Sequence, residues 1–230
     1  MENLIDRPVL EQDSATLAIN RRQADVILRK GLITLNITLQ ESAIDRCLDH
    51  AEMLLRWNRV HNLSAIRNLG DVVVRHLLDS FSIVEHVKGK EVIDIGSGAG
   101  YPGIPIALAR PDSHVVLLDS SMKKSEFLRH CVAQMGLCNV TVLCERVQEL
   151  SKDCRSFDTV LVRALGSLAT VAECELPILT SNGRILAMKG KYPKRELETI
   201  RSICDCAVHQ LSVPGLSESR HLVVIKRKTN

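Results

Sequence analysis

Aromatic side chains are scarce: one Trp, two Tyr and three Phe among 230 residues. A surface that reads single-stranded nucleic acid mainly by base stacking normally carries more. Long apolar runs are missing too, which excludes a helix spanning a bilayer. Charge of one sign is not in large excess. Thirty Lys and Arg stand against 27 Asp and Glu, for a net charge of +3. A nucleic-acid partner must therefore be argued from a local cationic rim. Low-complexity tracts and a fixed repeat are absent, which excludes solenoids and collagen-like structure. No His or Cys grouping has metal-ligand spacing, so no structural metal is expected. The start, MENLIDRPVLEQDS, is acidic and broken by Pro8. It does not match a secretory signal, and a cytoplasmic location is expected. The eight cysteines lie mostly in apolar stretches such as TVLCE and AECEL. They are expected to be reduced thiols acting as small hydrophobes.

What is present is a change of period near residue 90. Residues 1–20 are polar and read as a tail. Residues 21–33, 41–58 and 71–87 carry helical patterns; in the second, Ile44, Cys47, Leu48, Ala51, Leu54 and Leu55 share a face. After Lys90, short apolar runs alternate with helical ones. Strands are expected at 91–96, 114–119, 139–145, 157–164 and 183–190. Helices are expected over 104–110, 121–136, 167–180 and 194–203. Two last strands flank Pro214-Gly215. This is an α/β pattern: a Rossmann-like, mostly parallel sheet over 90–230 with an antiparallel edge strand, preceded by a helical segment at 21–89.

The densest signal is Val92-Ile93-Asp94-Ile95-Gly96-Ser97-Gly98-Ala99-Gly100-Tyr101-Pro102-Gly103. It sits where the first strand turns into a helix. Gly96 and Gly98 permit a sharp turn and close approach of a ligand to the backbone. A dinucleotide fingerprint needs its third glycine at position 101, where Tyr101 stands. Asp94 would repel a pyrophosphate but suits a sulfonium or ammonium cation. Asp119 ends the next strand, where a carboxylate can hold ribose hydroxyls. Together these point to S-adenosyl-L-methionine. A ligand-free glycine turn and a nicotinamide site are the alternatives, disfavoured by the joint placement of glycines and acids.

Around this loop the chain resembles the glucose-inhibited division protein B family, bacterial methyltransferases of guanine N7 in 16S ribosomal RNA. The matching stretches are Trp57-Asn58-Arg59-Val60-His61-Asn62-Leu63-Ser64, Arg75-His76-Leu77-Leu78-Asp79-Ser80, Asp94 through Pro105, Arg163-Ala164, Lys189-Gly190 and Arg220-His221-Leu222-Val223-Val224. Ser64 replaces the family's usual Thr, and Gln148 its usual Glu. The resemblance places the cofactor on Gly96, Tyr101, Val147, Gln148 and Arg163. Asp94, Gly98 and Asp119 join them on the physical grounds above.

Guanine N7 has an in-plane lone pair and loses no proton, so no general base is assigned. The site's task is alignment. RNA contacts are expected from Lys123, Arg146, Lys189, Asn62, His76 and Arg220, the 16S RNA or small ribosomal subunit being the partner. His76, near the site, is a group that could titrate within the neutral range. Trp57 reads as core. Arg163 could alternatively pair with Asp158. Two other functions compete: a methyltransferase of small molecules or proteins, and a non-catalytic RNA-binding module. The latter could lose its glycines, yet this chain keeps them.

Overall fold

The computed structural model describes residues 19–150 and 156–228. The expected tail at 1–20 therefore falls mostly outside the described residues, as does Cys154.

The first helix, α1 (Arg21–Thr34), opens on a capping box. Asn20 Oδ1 accepts from the Gln23 N–H, and Gln23 Oε1 accepts from the Asn20 N–H, both at 3.0 Å. The second, α2 (Glu41–His61), buries the expected stripe of Ile44, Cys47, Leu48, Ala51 and Leu54. It ends where Asn62 turns left-handed at φ 50°. The expected helix at 71–87 is broken. α3 (Leu69–Val72) passes into a π-helical stretch, Val73–Leu78, and then into α4 (Asp79–Phe81); a 3-10 turn follows at Val84–His86. The π stretch overlaps the R-H-L-L-D-S segment at Arg75–Leu78, consistent with such bulges marking functional sites.

The sheet has seven strands: β1 (Glu91–Ile95), β2 (His114–Leu118), β3 (Val140–Leu143), β4 (Phe157–Arg163), β5 (Leu179–Lys189), β6 (Cys204–Leu211) and β7 (Arg220–Arg227). Their order is β3-β2-β1-β4-β5-β7-β6. β1 to β5 run parallel; β7 inserts antiparallel between β5 and β6. β5 starts at Leu179 rather than 183, because the expected helix at 167–180 stops early. α8 (Leu168–Glu175) gives way to a 3-10 turn at Leu176–Ile178 containing Pro177, which cannot donate to a continuing helix. The remaining helices are α5 (Gly103–Ala109), α6 (Met122–Met135), α7 (Val147–Leu150) and α9 (Lys194–Ile200).

Alternation along β1 divides the core. Val92 joins the cluster that holds Leu28, Leu48, Leu78, Phe81, Ile104 and Phe127. Ile93 and Ile95 join Leu168, Val171 and Leu197 on the other face. Each such fully buried side chain contributes about 1.5–3 kcal/mol of transfer free energy. The N-terminal helices thus share one apolar layer with α5, α6 and the sheet. α1 approaches closely at Gly31, where a Cβ would lie 2.4 Å from a Leu78 methyl. The described cysteines are all free, and Trp57 is half-buried against Phe127 and His130.

Candidate active site

Strand order reverses between β1 and β4, and a ligand crevice is expected beyond the strand C-termini there. A cleft of about 590 Å³ occupies that place. Gly96 follows β1, Asp119 and Ser120 follow β2, Arg146, Val147 and Gln148 follow β3, and Arg163 ends β4; all line it. Each element runs toward this rim because parallel βα units place every loop after a strand on one edge.

The glycine loop takes left-handed backbone at Gly96 (φ 69°), Gly98 (φ 58°) and Gly100 (φ 85°). A Cβ on Gly96 would come within 3.1 Å of Leu165 Cδ1, so the glycine keeps the cleft open at this side. Asp119 fastens the loop. Its Oδ2 accepts from the Gly98 N–H at 3.0 Å and lies 3.5 Å from Lys124 Nζ; its Oδ1 accepts from the Ser121 N–H at 2.9 Å. A carboxylate has lone pairs to spare for a ligand as well.

Three of the expected cofactor residues stand elsewhere. The Asp94 side chain points away from the cleft lining and accepts from the Gly103 N–H at 2.9 Å, at the start of α5. Burial pushes this carboxyl up to about 7, against the pull of that N–H. Gly98 does not line the cleft; its N–H is held by Asp119. Tyr101 is buried away from it, stacked between His50 and His76 with ring centroids 4.4 and 4.7 Å apart.

The expected RNA contacts divide likewise. Lys123 and Arg146 are exposed. Asn62 is exposed beside α2, its Oδ1 accepting from Arg67 at 3.1 Å. Lys189 is instead paired with Glu196 at 2.9 Å and donates to the Gly166 carbonyl. Arg220 donates to Asp79 Oδ1 at 3.1 Å, and Arg163 Nη2 lies 3.3 Å from Asp79 Oδ2. The partner of Arg163 is thus Asp79, while Asp158 receives the Lys90 and Glu91 N–H groups. Burial pushes the Asp79 carboxyl up, and the two guanidiniums pull it back.

His76 belongs to the same network. Arg163 Nη2 donates to the Arg75 carbonyl at 2.7 Å and approaches His76 Nδ1 at 3.1 Å. His76 Nδ1 also lies 3.1 Å from the Arg75 carbonyl, and Nε2 lies 3.1 Å from Ser64 Oγ, so the tautomer decides which of these contacts the ring donates. Burial, followed by the Arg163 cation, pushes His76 down to about 3. It does not titrate near neutrality, which answers a question the sequence leaves open. Asn58 holds the Ser64 loop with three hydrogen bonds, its amide donating to the Ser64 and Ile66 carbonyls and accepting from the Ser64 N–H. The separated motifs of the sequence therefore meet in one polar chain: Asn58, Ser64, His76, Arg163, Asp79, Arg220.

Glu145 and Glu175, which no motif in the sequence marks, also line the cleft. Glu175 is 1% exposed and its Oε2 has no partner. An acid in AECEL gave no signal of this.

A family model described as rRNA small subunit methyltransferase G matches residues 43–223. The chain belongs to that family. Among its relatives, ribosomal RNA small subunit methyltransferase G of Alkalilimnicola ehrlichii is 43% identical over 197 residues, covering 85% of this chain and 89% of that protein. The protein of the same name from Neisseria meningitidis serogroup B is 39% identical over 203 residues, covering 87% and 97%. Among solved structures, precorrin-6y C5,15-methyltransferase of Geobacter metallireducens superposes with a TM-score of 0.50 at 15% identity, covering 65% of this chain and 87% of that one. That likeness concerns the fold. No helix among the described residues is long and apolar enough to cross a membrane.

Proposed function

We propose that this protein transfers a methyl group from S-adenosyl-L-methionine to N7 of a guanine in small-subunit ribosomal RNA. The observation that carries the reading is the cleft at the β1–β4 switch point, bounded by Gly96, Asp119, Val147, Gln148 and Arg163, in a chain of this family. Its size suits a ligand of that class. Two acids in its lining, Asp119 and Glu145, suit a cationic cofactor, and Gly96 leaves space where a Cβ would meet Leu165.

When bound, the cofactor supplies a methyl carbon made electrophilic by its sulfonium. Asp119 is the residue for the ribose hydroxyls, Val147 and Gln148 for the adenine edge, and the Gly96 backbone for the methionine part. Asp94 and Gly98 act on the loop rather than on the ligand: one anchors the start of α5, the other ties the turn to Asp119. Arg163 reaches the cleft from a fixed position, because Asp79, the Arg75 carbonyl and His76 hold its guanidinium. Attack by guanine N7 releases no proton, so the chain needs alignment and no base. His76 stays neutral and packs beside Arg163 as a spacer. Lys123 and Arg146 are the cations offered to RNA phosphates. Arg220 and His76 support the site from within.

The test uses small ribosomal subunits, and separately naked 16S RNA, from cells lacking this enzyme. Incubation with methyl-labelled cofactor is followed by borohydride and aniline cleavage, which maps 7-methylguanosine. Label at one guanine N7 is expected. Label on a protein, or on an RNA atom that resists this cleavage, would overturn the proposal.

A further inference from the structure

α8 presents Thr170, Val171, Cys174 and Glu175 to the cleft, a spacing that places them on one side of the helix. Glu175 ends the helix and is almost fully buried, yet borders the open volume. Its Oε2 has neither a hydrogen-bond partner nor contact with solvent, and no cation pairs with it among the described residues. Buried carboxyl oxygens rarely stay bare, and on a residue that borders a cleft a small side-chain turn brings such an oxygen to a donor supplied by a ligand. The neighbouring Cys174 Sγ accepts from Gln148 Nε2 at 3.5 Å. That contact ties this end of α8 to the Val147–Gln148 side of the cleft. Gly96 and Leu165 meet at the other side.

Resting on the cofactor reading above, we infer that Glu175 is a further cofactor-binding residue, which pairs with the 6-amino edge of the adenine. Adenine offers an amino donor beside a ring-nitrogen acceptor. A protonated carboxyl offers the complement, a carbonyl acceptor beside an O–H donor. Burial, with Asp94 adding repulsion, pushes Glu175 up to about 9, so it carries that proton at neutral pH. An apolar residue would fill the same space and relieve the fold of an unpaired acid.

The experiment is calorimetric titration of the full-length protein with S-adenosylhomocysteine and with the analogue whose purine lacks the 6-amino group. The wild type, Glu175→Gln and Glu175→Leu are compared, each also melted without ligand. The wild type should bind the adenine compound about tenfold or more tightly than the analogue. Glu175→Gln keeps a donor beside an acceptor and should keep that preference. Glu175→Leu should melt higher than the wild type, lose about ten- to hundredfold in affinity for the adenine compound, and bind both ligands alike. An unchanged preference in Glu175→Leu overturns the inference, whether or not overall affinity falls. If Glu175→Leu does not fold, loss of the preference in Glu175→Gln overturns it instead. A wild type that binds neither compound overturns the cofactor reading itself, and this inference with it.

Discussion

Glu175→Gln tests the electrostatics of the buried acid without any ligand. In the unfolded chain this carboxyl ionises near 4.5, and in the folded protein it holds its proton to about 9. Between those values the folded state binds more protons than the unfolded one, so its stability falls as pH rises. The cost relative to a group that cannot ionise is about 1 kcal/mol at pH 5 and about 4 kcal/mol at pH 7.5. A glutamine has the same shape and its desolvation does not depend on pH. The variant should therefore gain on the wild type by about 3 kcal/mol between pH 5 and pH 7.5. Asp94, pushed to about 7, tilts both proteins the same way, so the difference between them isolates Glu175. Urea unfolding of both proteins at the two pH values, with equal slopes required, measures it. A difference that is the same at both pH values, or that shrinks as pH rises, would refute the reasoning and mean that Glu175 is ionised in the folded protein.

Gly96→Val forces a branched side chain into left-handed backbone and toward Leu165; S-adenosylhomocysteine affinity should fall at least tenfold in a protein that still folds, as read by calorimetry beside circular dichroism, and unchanged affinity would remove the loop from the site. Single-turnover methylation should be nearly flat from about pH 7.5 to 8.5, above the range in which Asp94 ionises, since N7 loses no proton and His76 stays neutral; a tenfold rise per pH unit there would point to a methyl acceptor that must be deprotonated. Lys123→Ala should lower the salt slope of RNA binding by about one, whereas Lys189→Ala should lower it less, because Glu196 already neutralises Lys189; equal slopes for the two variants, measured by filter binding across salt concentrations, would contradict this division.

Much of the site was legible from chain position. In a parallel βα sheet every residue that follows a strand arrives at one rim, so finding the strand ends locates Gly96, Asp119, Arg146, Val147, Gln148 and Arg163 together. Periodicity likewise set the buried stripe of α2 and the alternation of β1. Local order does not say which of two nearby groups will capture a carboxylate. Asp94 faces the start of α5, and the Gly103 N–H takes it from the cleft. Nor does it pair charges far apart: Arg220 meets Asp79 across 141 positions only because β7 inserts beside β5 and the π-helical stretch carries Asp79 to the same place. The difference is one of range. Periodicity and turn chemistry act over a few residues and are written into the chain. Burial of a particular acid, such as Glu175 in AECEL, depends on what α7, α9 and β5 bring against α8, and that exists only once the sheet has closed.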